Sequence, residues 1–282
     1  MVLESILSPI KAEKRPWQMF FIGFLYSSIA IFLGLWVFER LAGVLALLLT
    51  VVASLPIMYN ALRLEEKKDI FIDKEATLLK EHSKALSFFM FLFLGITASY
   101  VVWFVFLPQD TVTTIFSSQI STISDIKDGL TANAPSQSSF LIILFNNLRV
   151  MTMCILFSFL FGAGSIFILT WNASVIAAAI GIFIRNNLAA VANLTGMDRI
   201  ASYFGIVITG VLKYSLHGIP EILAYFIAAL AGGIISVAVI RHDFGTKKFE
   251  RILVDTSDLI AISVILLFFA TVIEVYVSHA LF

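Results

Sequence analysis

Charged residues are scarce in this chain of 282 residues: they make up 13% of it, whereas hydrophobic residues make up 60%. A water-soluble domain of this length has no use for so much apolar surface, so the composition excludes an ordinary soluble fold. Lys+Arg and Asp+Glu both number 19, so the chain lacks the net positive charge typical of nucleic-acid binding. The sequence indicates a protein whose main partner is the lipid bilayer, with no nucleic-acid partner.

Cysteine and catalytic motifs are also scarce. The single cysteine, Cys154, lies in an apolar stretch, which excludes an intrachain disulfide and a Cys-rich metal cluster. No GxSxG, HExxH, Walker-type phosphate loop or GxGxxG run is present, so hydrolase, metalloprotease and nucleotide-driven functions lack their motifs. We therefore expect no enzyme activity, no cofactor and no metal.

Long apolar runs fill most of the chain. A helix needs about 20 residues to cross the hydrocarbon core of a bilayer. Seven segments reach that length: Trp17 to Phe38, Leu41 to Leu62, Ala85 to Leu107, Leu148 to Trp171, Ala173 to Leu194, Ile219 to Arg241 and Leu259 to His279. The sequence predicts an all-α fold, a polytopic bundle of about seven transmembrane helices.

Three further segments are too polar or too short to cross. Arg63 to Ala85 is densely charged with apolar residues at helical intervals, which predicts an amphipathic helix on the cytoplasmic side. Pro108 to Ser139 is rich in Ser and Thr and predicts an exposed loop, and Tyr203 to Ser215 predicts a short re-entrant or interfacial helix. We divide the chain into residues 1–84, a transmembrane hairpin with the charged segment, and residues 85–282, the transmembrane core.

The distribution of Lys and Arg predicts the orientation, because basic residues in short loops are retained on the cytoplasmic side. With the N-terminus in the cytoplasm and the C-terminus outside the cell membrane, most basic residues face the cytoplasm: Lys11, Lys14, Arg15, Arg63, Lys67, Lys68, Lys74, Lys80, Lys84, Arg241, Lys247, Lys248 and Arg251. The loop at residues 108–139 then faces the exterior.

Polar residues from distant parts of the chain are predicted to reach the same outer leaflet. They are Asn146, Asn147, Arg149, Asn172, His217, Glu221 and Glu274. Since an isolated charge in hydrocarbon costs roughly 2.5–3.5 kcal/mol even on an insertion scale, Arg149 is expected to pair with Glu221 or Glu274. The sequence thus predicts an intramembrane polar cluster.

Two other interpretations of these residues stay open. Pro220 suits the first turn of a helix and Glu221 suits the positive end of its dipole, so the HGIPE run is also typical of a helix start. Metal binding by His217, Glu221, Glu274 and His279 is a further alternative, although their dispersed positions have no ligand-spacing signature.

Small residues recur at intervals of four along two predicted spans. Ala224, Ala228, Gly232 and Ser236 share one helix face, as do Ala173, Ala177 and Gly181, and such faces let helices approach closely. The alternatives are packing inside one protomer and a seam between two copies in a homodimer. Gly162 and Gly164 also indicate a close contact or a kink.

These features together resemble the stage II sporulation protein M family. The likeness is carried by Asn146-Asn147 before Arg149-Val150, by Gly162 and Gly164, by Asn172, and by the runs HGIPEILAYFIAALAGG and LIAISVILLFFATVIEVYVS. It covers roughly Ala85 to Phe282, and the marks of the family map to Asn146, Asn147, His217, Gly218 and Glu221. Two features depart from the family pattern: Asn172-Ala173 stands where Asn-Gly is expected, and an extra hairpin precedes the shared part. These departures resemble an archaeal-type branch of the family, for which a sporulation role does not follow.

The resemblance implies a function without catalysis. Members in spore formers act as anchors or scaffolds for cell-wall-degrading proteins, so we expect a membrane scaffold that recruits unidentified protein partners, in envelope or membrane remodelling. The alternative is a transporter or channel for a small solute or ion that uses the polar cluster, because intramembrane ionisable residues often line such paths. An intramembrane enzyme using His217 and Glu221 is a third class, without a complete constellation.

Overall fold

The computed structural model describes residues 15–72, 75–131, 136–161, 163–240 and 245–281. Within these ranges the chain is almost entirely helical and contains no strand. The predicted all-α class is therefore confirmed.

Eight long helices follow one another in the described part of the chain. They are α1 (Gln18–Phe38), α2 (Ala42–Phe71), α3 (Glu75–Phe106), α4 (Gln109–Thr131), α5 (Ser136–Phe161), α6 (Ser165–Ala190), α7 (Gly196–Ile240) and α8 (Lys247–Val272). A 3₁₀ turn, Glu39–Leu41, joins α1 to α2, and a π-helical turn, Ile273–Ser278, continues α8 into the short α9 (His279–Leu281).

Six stretches of the described chain are long and apolar enough to cross a membrane. The first, Gln18–Lys68, covers α1 and most of α2, and the other five cover all or most of α3, α5, α6, α7 and α8. Large apolar side chains cover the outside of these helices, and Trp36 is 83% exposed. Such a surface suits lipid and not water, so the protein is a multi-pass membrane protein.

Close approach between α1 and α3 depends on two glycines. A Cβ atom at Gly23 would meet the Leu92 carbonyl oxygen, and one at Gly95 would meet the Phe20 carbonyl oxygen. Further along the same interface, the Ser28 and Ser99 hydroxyls are hydrogen-bonded at 2.9 Å. The two helices therefore run in the same direction with their backbones nearly in contact.

The second half of α7 forms the centre of the bundle. From Ile222 to Ala238 nearly every residue is buried, because α5, α6 and α8 all pack against it. The stripe of Ala224, Ala228, Gly232 and Ser236 lies within this buried part, and a Cβ atom at Gly232 would lie 2.7 Å from the Ile155 carbonyl oxygen of α5. The stripe therefore packs inside the protomer and is covered by the chain itself.

The small residues of α6 have the same role. Ala173, Ala177 and Gly181 are buried, and a Cβ atom at Gly181 would meet the Phe104 ring of α3. Gly164 lies just before α6, where a Cβ atom would be 2.6 Å from the Phe157 carbonyl oxygen. Gly162 lies outside the described residues.

The prediction of an exposed loop at residues 108–139 is wrong for the described part of that segment. α4 occupies it, and Val112, Ile115, Phe116 and Gln119 are buried against α2 and α6. These residues follow the spacing i, i+3, i+4 and i+7 of one helix face. The many Ser and Thr residues do not break the helix because several of their hydroxyls bond to the backbone of the preceding turn, as Thr122 does to the Ser118 carbonyl.

The predicted boundary between the fourth and fifth spans is also wrong. α5 ends at Phe161 and α6 begins at Ser165, so Asn172 lies inside a helix and not at a turn. Its Nδ2 donates to the Ile168 carbonyl oxygen at 2.9 Å, which satisfies the amide within the helix. The chain turns instead at Ala163 and Gly164, and glycine is among the least favourable residues for an unbroken helix.

The predicted separation of Tyr203 to Ser215 from the sixth span is wrong, because α7 is one helix of 45 residues. Pro220 and Glu221 therefore lie in its interior, and the helix-start interpretation of the HGIPE run does not hold. At 1.5 Å per residue α7 is about 67 Å long, whereas the hydrocarbon core is about 30 Å thick. A large part of α7 must lie outside the hydrocarbon or be strongly tilted.

The charged segment at residues 63–85 is not one amphipathic helix. It forms the end of α2 and the beginning of α3, which pack side by side. Glu65 is completely buried there, and its Oε1 accepts a hydrogen bond from Lys68 Nζ at 2.7 Å. Its Oε2 is hydrogen-bonded to His82 Nδ1, also at 2.7 Å. A buried ion network therefore joins the two helices at this end of the bundle.

Candidate functional site

A cavity of about 330 Å³ lies between α4, α5, α6, α7 and the π-helical turn. Six of the seven residues of the predicted polar cluster line it: Asn146, Asn147, Asn172, His217, Glu221 and Glu274. They come from four separate helical segments, and all face one space. The structure therefore brings these residues together as a single polar site.

α7 supplies the largest share of the polar wall. Tyr214, His217, Gly218 and Glu221 lie on one face because they follow the spacing i, i+3, i+4 and i+7. One turn further, the buried Tyr225 hydroxyl donates to Glu221 Oε1 at 2.6 Å. This hydrogen bond fixes the Glu221 side chain and leaves its second oxygen free of any hydrogen bond with the described part of the chain.

The π-helical turn supplies the facing side. His217 Nδ1 and the buried Ser278 hydroxyl are hydrogen-bonded at 3.1 Å, which joins α7 to this turn. Glu274 lies in the same turn and lines the cavity. Single π-helical turns inside α-helices occur frequently at functional sites, because they redirect side chains that a regular helix would place elsewhere.

Asn147 contributes an unsatisfied donor. Its side chain is 4% exposed, and its Nδ2 has no hydrogen-bond partner among the described residues. A buried donor without a partner costs about 1–3 kcal/mol, so this amide favours a ligand with an acceptor in the cavity.

The seventh residue of the predicted cluster, Arg149, does not reach this site. Its side chain is exposed on α5, it does not line the cavity, and it makes no ion pair within the described ranges. The predicted pairing of Arg149 with Glu221 or Glu274 is therefore wrong. The metal-binding alternative also included His279, whose side chain is not among those that the structure describes.

Sequence reasoning missed Asp125 and Tyr214, which also line the cavity. Tyr214 lies three residues before His217. In one continuous helix this spacing places both residues on the same face, whereas the sequence analysis assigned Tyr214 to a separate short helix. Asp125 belongs to α4 and could not be placed while that segment was interpreted as a loop.

The fold and the site define a polytopic helical membrane protein with a polar cavity between its helices. The family model described as Stage II sporulation protein M matches residues 85–279. The chain belongs to this family, and the match includes every described element that lines the cavity. No curated protein and no solved structure matches the chain.

Proposed function

We propose that this protein binds a small cationic solute in the polar cavity and carries it into or across the membrane. The observation that supports this function is the charge of the lining residues. Asp125, Glu221 and Glu274 supply three carboxyl groups, and the lining residues include no Lys or Arg. A site of this composition attracts cations and repels anions.

The pairing state of the two membrane carboxyl groups supports the same function. Neither Glu221 nor Glu274 forms an ion pair with any residue that the structure describes. Ionisable residues in membrane spans are costly and mark substrate or ion pathways when they face an interior cavity. A bound monocation would offset the charge of one of these two groups and could accept hydrogen bonds from neither, so it would donate its N–H groups to their oxygens.

The amide of Asn147 narrows the class of solute. Its unpartnered Nδ2 needs an acceptor, while the carboxyl groups need a positive charge or N–H donors. A small organic ammonium ion with a hydroxyl or carbonyl oxygen satisfies both requirements. Ethanolamine is the simplest probe of this chemistry, and ethylene glycol has a similar size without the charge.

Ethanolamine is expected to raise the thermal unfolding temperature of the purified protein in detergent, and ethylene glycol is not, because only a ligand bound to the folded state stabilises it. The double variant Glu221→Gln and Glu274→Gln should bind ethanolamine at least about tenfold more weakly, since charge-assisted hydrogen bonds contribute about 1.5–3 kcal/mol. Thermal shifts over a concentration series measure both effects. Uptake of radiolabelled ethanolamine into proteoliposomes measures transport.

The matched control is Asp198→Asn, which removes an exposed carboxyl group at the start of α7, outside the cavity. It should bind ethanolamine as the wild type does. Equal shifts with ethanolamine and ethylene glycol, or an unchanged affinity in the double variant, would contradict the cation site.

Recruitment of a protein partner is a second proposed function, and the first half of α7 favours it. Met197, Ile200, Phe204 and Ile208 are exposed and recur at intervals of three and four, so they form an apolar stripe on one face. The family resemblance implies a scaffold role of this kind. With the proposed orientation, N-terminus in the cytoplasm, this half of α7 extends towards the exterior, where a partner in the envelope could bind.

Attachment of an impermeant thiol-reactive photo-crosslinker to intact cells tests the orientation and the partner surface together. On a Cys154→Ala background, Phe204→Cys is expected to react from outside and to capture a partner protein, whereas Lys80→Cys is spared. Ser202→Cys is the matched control, because it lies on the other face of the same helix turn. Labelling of Lys80→Cys alone would show that the orientation is the opposite of the one proposed. Equal capture of proteins by Ser202→Cys and Phe204→Cys would contradict a specific partner.

A further inference from the structure

A second cavity, of about 160 Å³, lies between the turn that joins α1 to α2, the start of α2, α4 and α6. We call it the turn cavity. Its lining residues are Arg40, Leu41, Gly43, Val44, Leu47, Thr114, Ile115, Ser117, Ser118, Gln119 and Trp171. None of them lines the cavity that contains Glu221 and Glu274. The turn cavity is therefore a separate feature of the fold.

Arg40 supplies the charge of the turn cavity. Its side chain is exposed, and its guanidinium makes no ion pair or side-chain hydrogen bond with the described part of the chain. The hydroxyl groups of Ser117 and Ser118 line the same space, as does Thr114, whose own hydroxyl donates to the Asp110 carbonyl oxygen at 2.9 Å. A guanidinium beside two hydroxyl donors is a usual environment of a protein-bound phosphate group.

Gln119 supplies a hydrogen-bond acceptor, whereas Arg40 and the hydroxyl groups supply donors. Its side chain is 2% exposed, and its Nε2 donates to the Ser174 hydroxyl at 3.1 Å. That bond leaves Oε1 as a buried acceptor with no partner in the described part of the chain. A ligand in the turn cavity would satisfy it with a hydroxyl or ammonium donor.

The depth of the turn cavity identifies the source of such a ligand. α1 has 21 residues and is about 32 Å long, close to the hydrocarbon thickness of about 30 Å, so the turn after α1 lies at the level of the lipid headgroups. Leu41 and Val44 are exposed beside the cavity, and the Trp171 ring forms part of its wall. These groups suit acyl chains and the membrane interface.

We propose that the turn cavity binds the headgroup of a membrane phospholipid whose phosphate ester carries a hydroxyl or ammonium donor. The phosphate accepts hydrogen bonds from Arg40 and from the Ser117 and Ser118 hydroxyls. The donor on the headgroup alcohol bonds to Gln119 Oε1. The acyl chains lie along the exposed apolar side chains of α2.

Native mass spectrometry of the purified protein with lipids of identical acyl chains tests this site. Phosphatidylethanolamine and phosphatidylcholine have the same phosphate and the same net charge, but only the ethanolamine headgroup has N–H donors. We expect tighter binding of phosphatidylethanolamine. Arg40→Gln should weaken it at least about tenfold, the equivalent of one charge-assisted hydrogen bond, while Arg149→Gln, which removes an exposed arginine outside the turn cavity, should leave it unchanged.

Gln119→Met separates the two halves of the proposal. It removes the buried acceptor at nearly constant volume, so the preference for phosphatidylethanolamine over phosphatidylcholine should disappear while both lipids still bind. The unfolding temperature without added lipid checks that each variant is folded. Equal binding of the two lipids by the wild type, or no effect of Arg40→Gln, would overturn the site. Glycerol phosphate binding as tightly as the lipids would overturn the lipid source.

Discussion

Replacement of Glu65 by methionine is expected to destabilise the folded protein by about 3–5 kcal/mol, the usual loss when one member of a buried charged pair is removed. Glu65 is completely buried and accepts from Lys68 Nζ at 2.7 Å, and its other oxygen lies 2.7 Å from His82 Nδ1. Methionine keeps most of the side-chain volume but accepts neither bond well. Unfolding of the purified variant in detergent, by heat or by added denaturing detergent, measures the loss.

Glu81→Met is the matched control, because Glu81 pairs with Lys84 and Lys68 on the partly exposed side of the same network. Exposed ion pairs contribute about 0–1 kcal/mol, so this variant should stay near the wild type. Addition of His82→Leu to Glu65→Met should recover part of the loss, because the second change removes another buried polar group. Equal stability of Glu65→Met and Glu81→Met would show that the buried network contributes little.

Replacement of Gly232 by leucine is expected to lower the folded yield sharply. Even a Cβ atom at this position would lie 2.7 Å from the Ile155 carbonyl oxygen and 3.1 Å from Ser158 Cβ. The closest atom belongs to the backbone of α5, so α5 and α7 must move apart to make room. Overpacking of this kind costs about 1–3 kcal/mol or more, and the fraction of monodisperse protein after purification measures it.

Two changes in the same helix serve as controls for Gly232→Leu. Ile235→Leu keeps the volume at a neighbouring, partly buried position and should be nearly silent. Gly205→Ala adds a Cβ atom that meets nothing within 4 Å, so it should be neutral or stabilise α7 by about 0.5–1 kcal/mol. Equal tolerance of all three changes would contradict the close contact between α5 and α7.

The sequence predicted which parts of the chain form transmembrane helices, because that signal is length and hydrophobicity, but it misplaced the bounds of the fourth, fifth and sixth spans. It failed at α4, where Ser and Thr dominate the composition while Val112, Ile115, Phe116 and Gln119 carry the helical period. Composition favoured a loop, and tertiary packing against α2 and α6 stabilises a helix instead. The period was present in the sequence and was the better guide.

The candidate site was predicted by residue type but not by its contacts. Asn146, Asn147, His217, Glu221 and Glu274 were singled out because polar residues are costly in a membrane, and the structure places them around one cavity. Arg149 was included for the same reason, but the rotation of α5 turns it away, and the sequence does not determine that rotation. Which face of a spanning helix meets which neighbour depends on packing among all of the helices.

The continuity of α7 has a mechanical consequence. His217 and Glu221 lie near the middle of its 45 residues, with the apolar stripe towards one end and the buried core contacts towards the other. Pro220 lies between His217 and Glu221 and leaves one backbone hydrogen bond of the helix unmade, so α7 bends most easily beside the cavity, while the half that carries Phe204 stays a stiff arm. A change of the bend angle at Pro220 would swing the far end of this arm through a larger distance than the residues beside the cavity move.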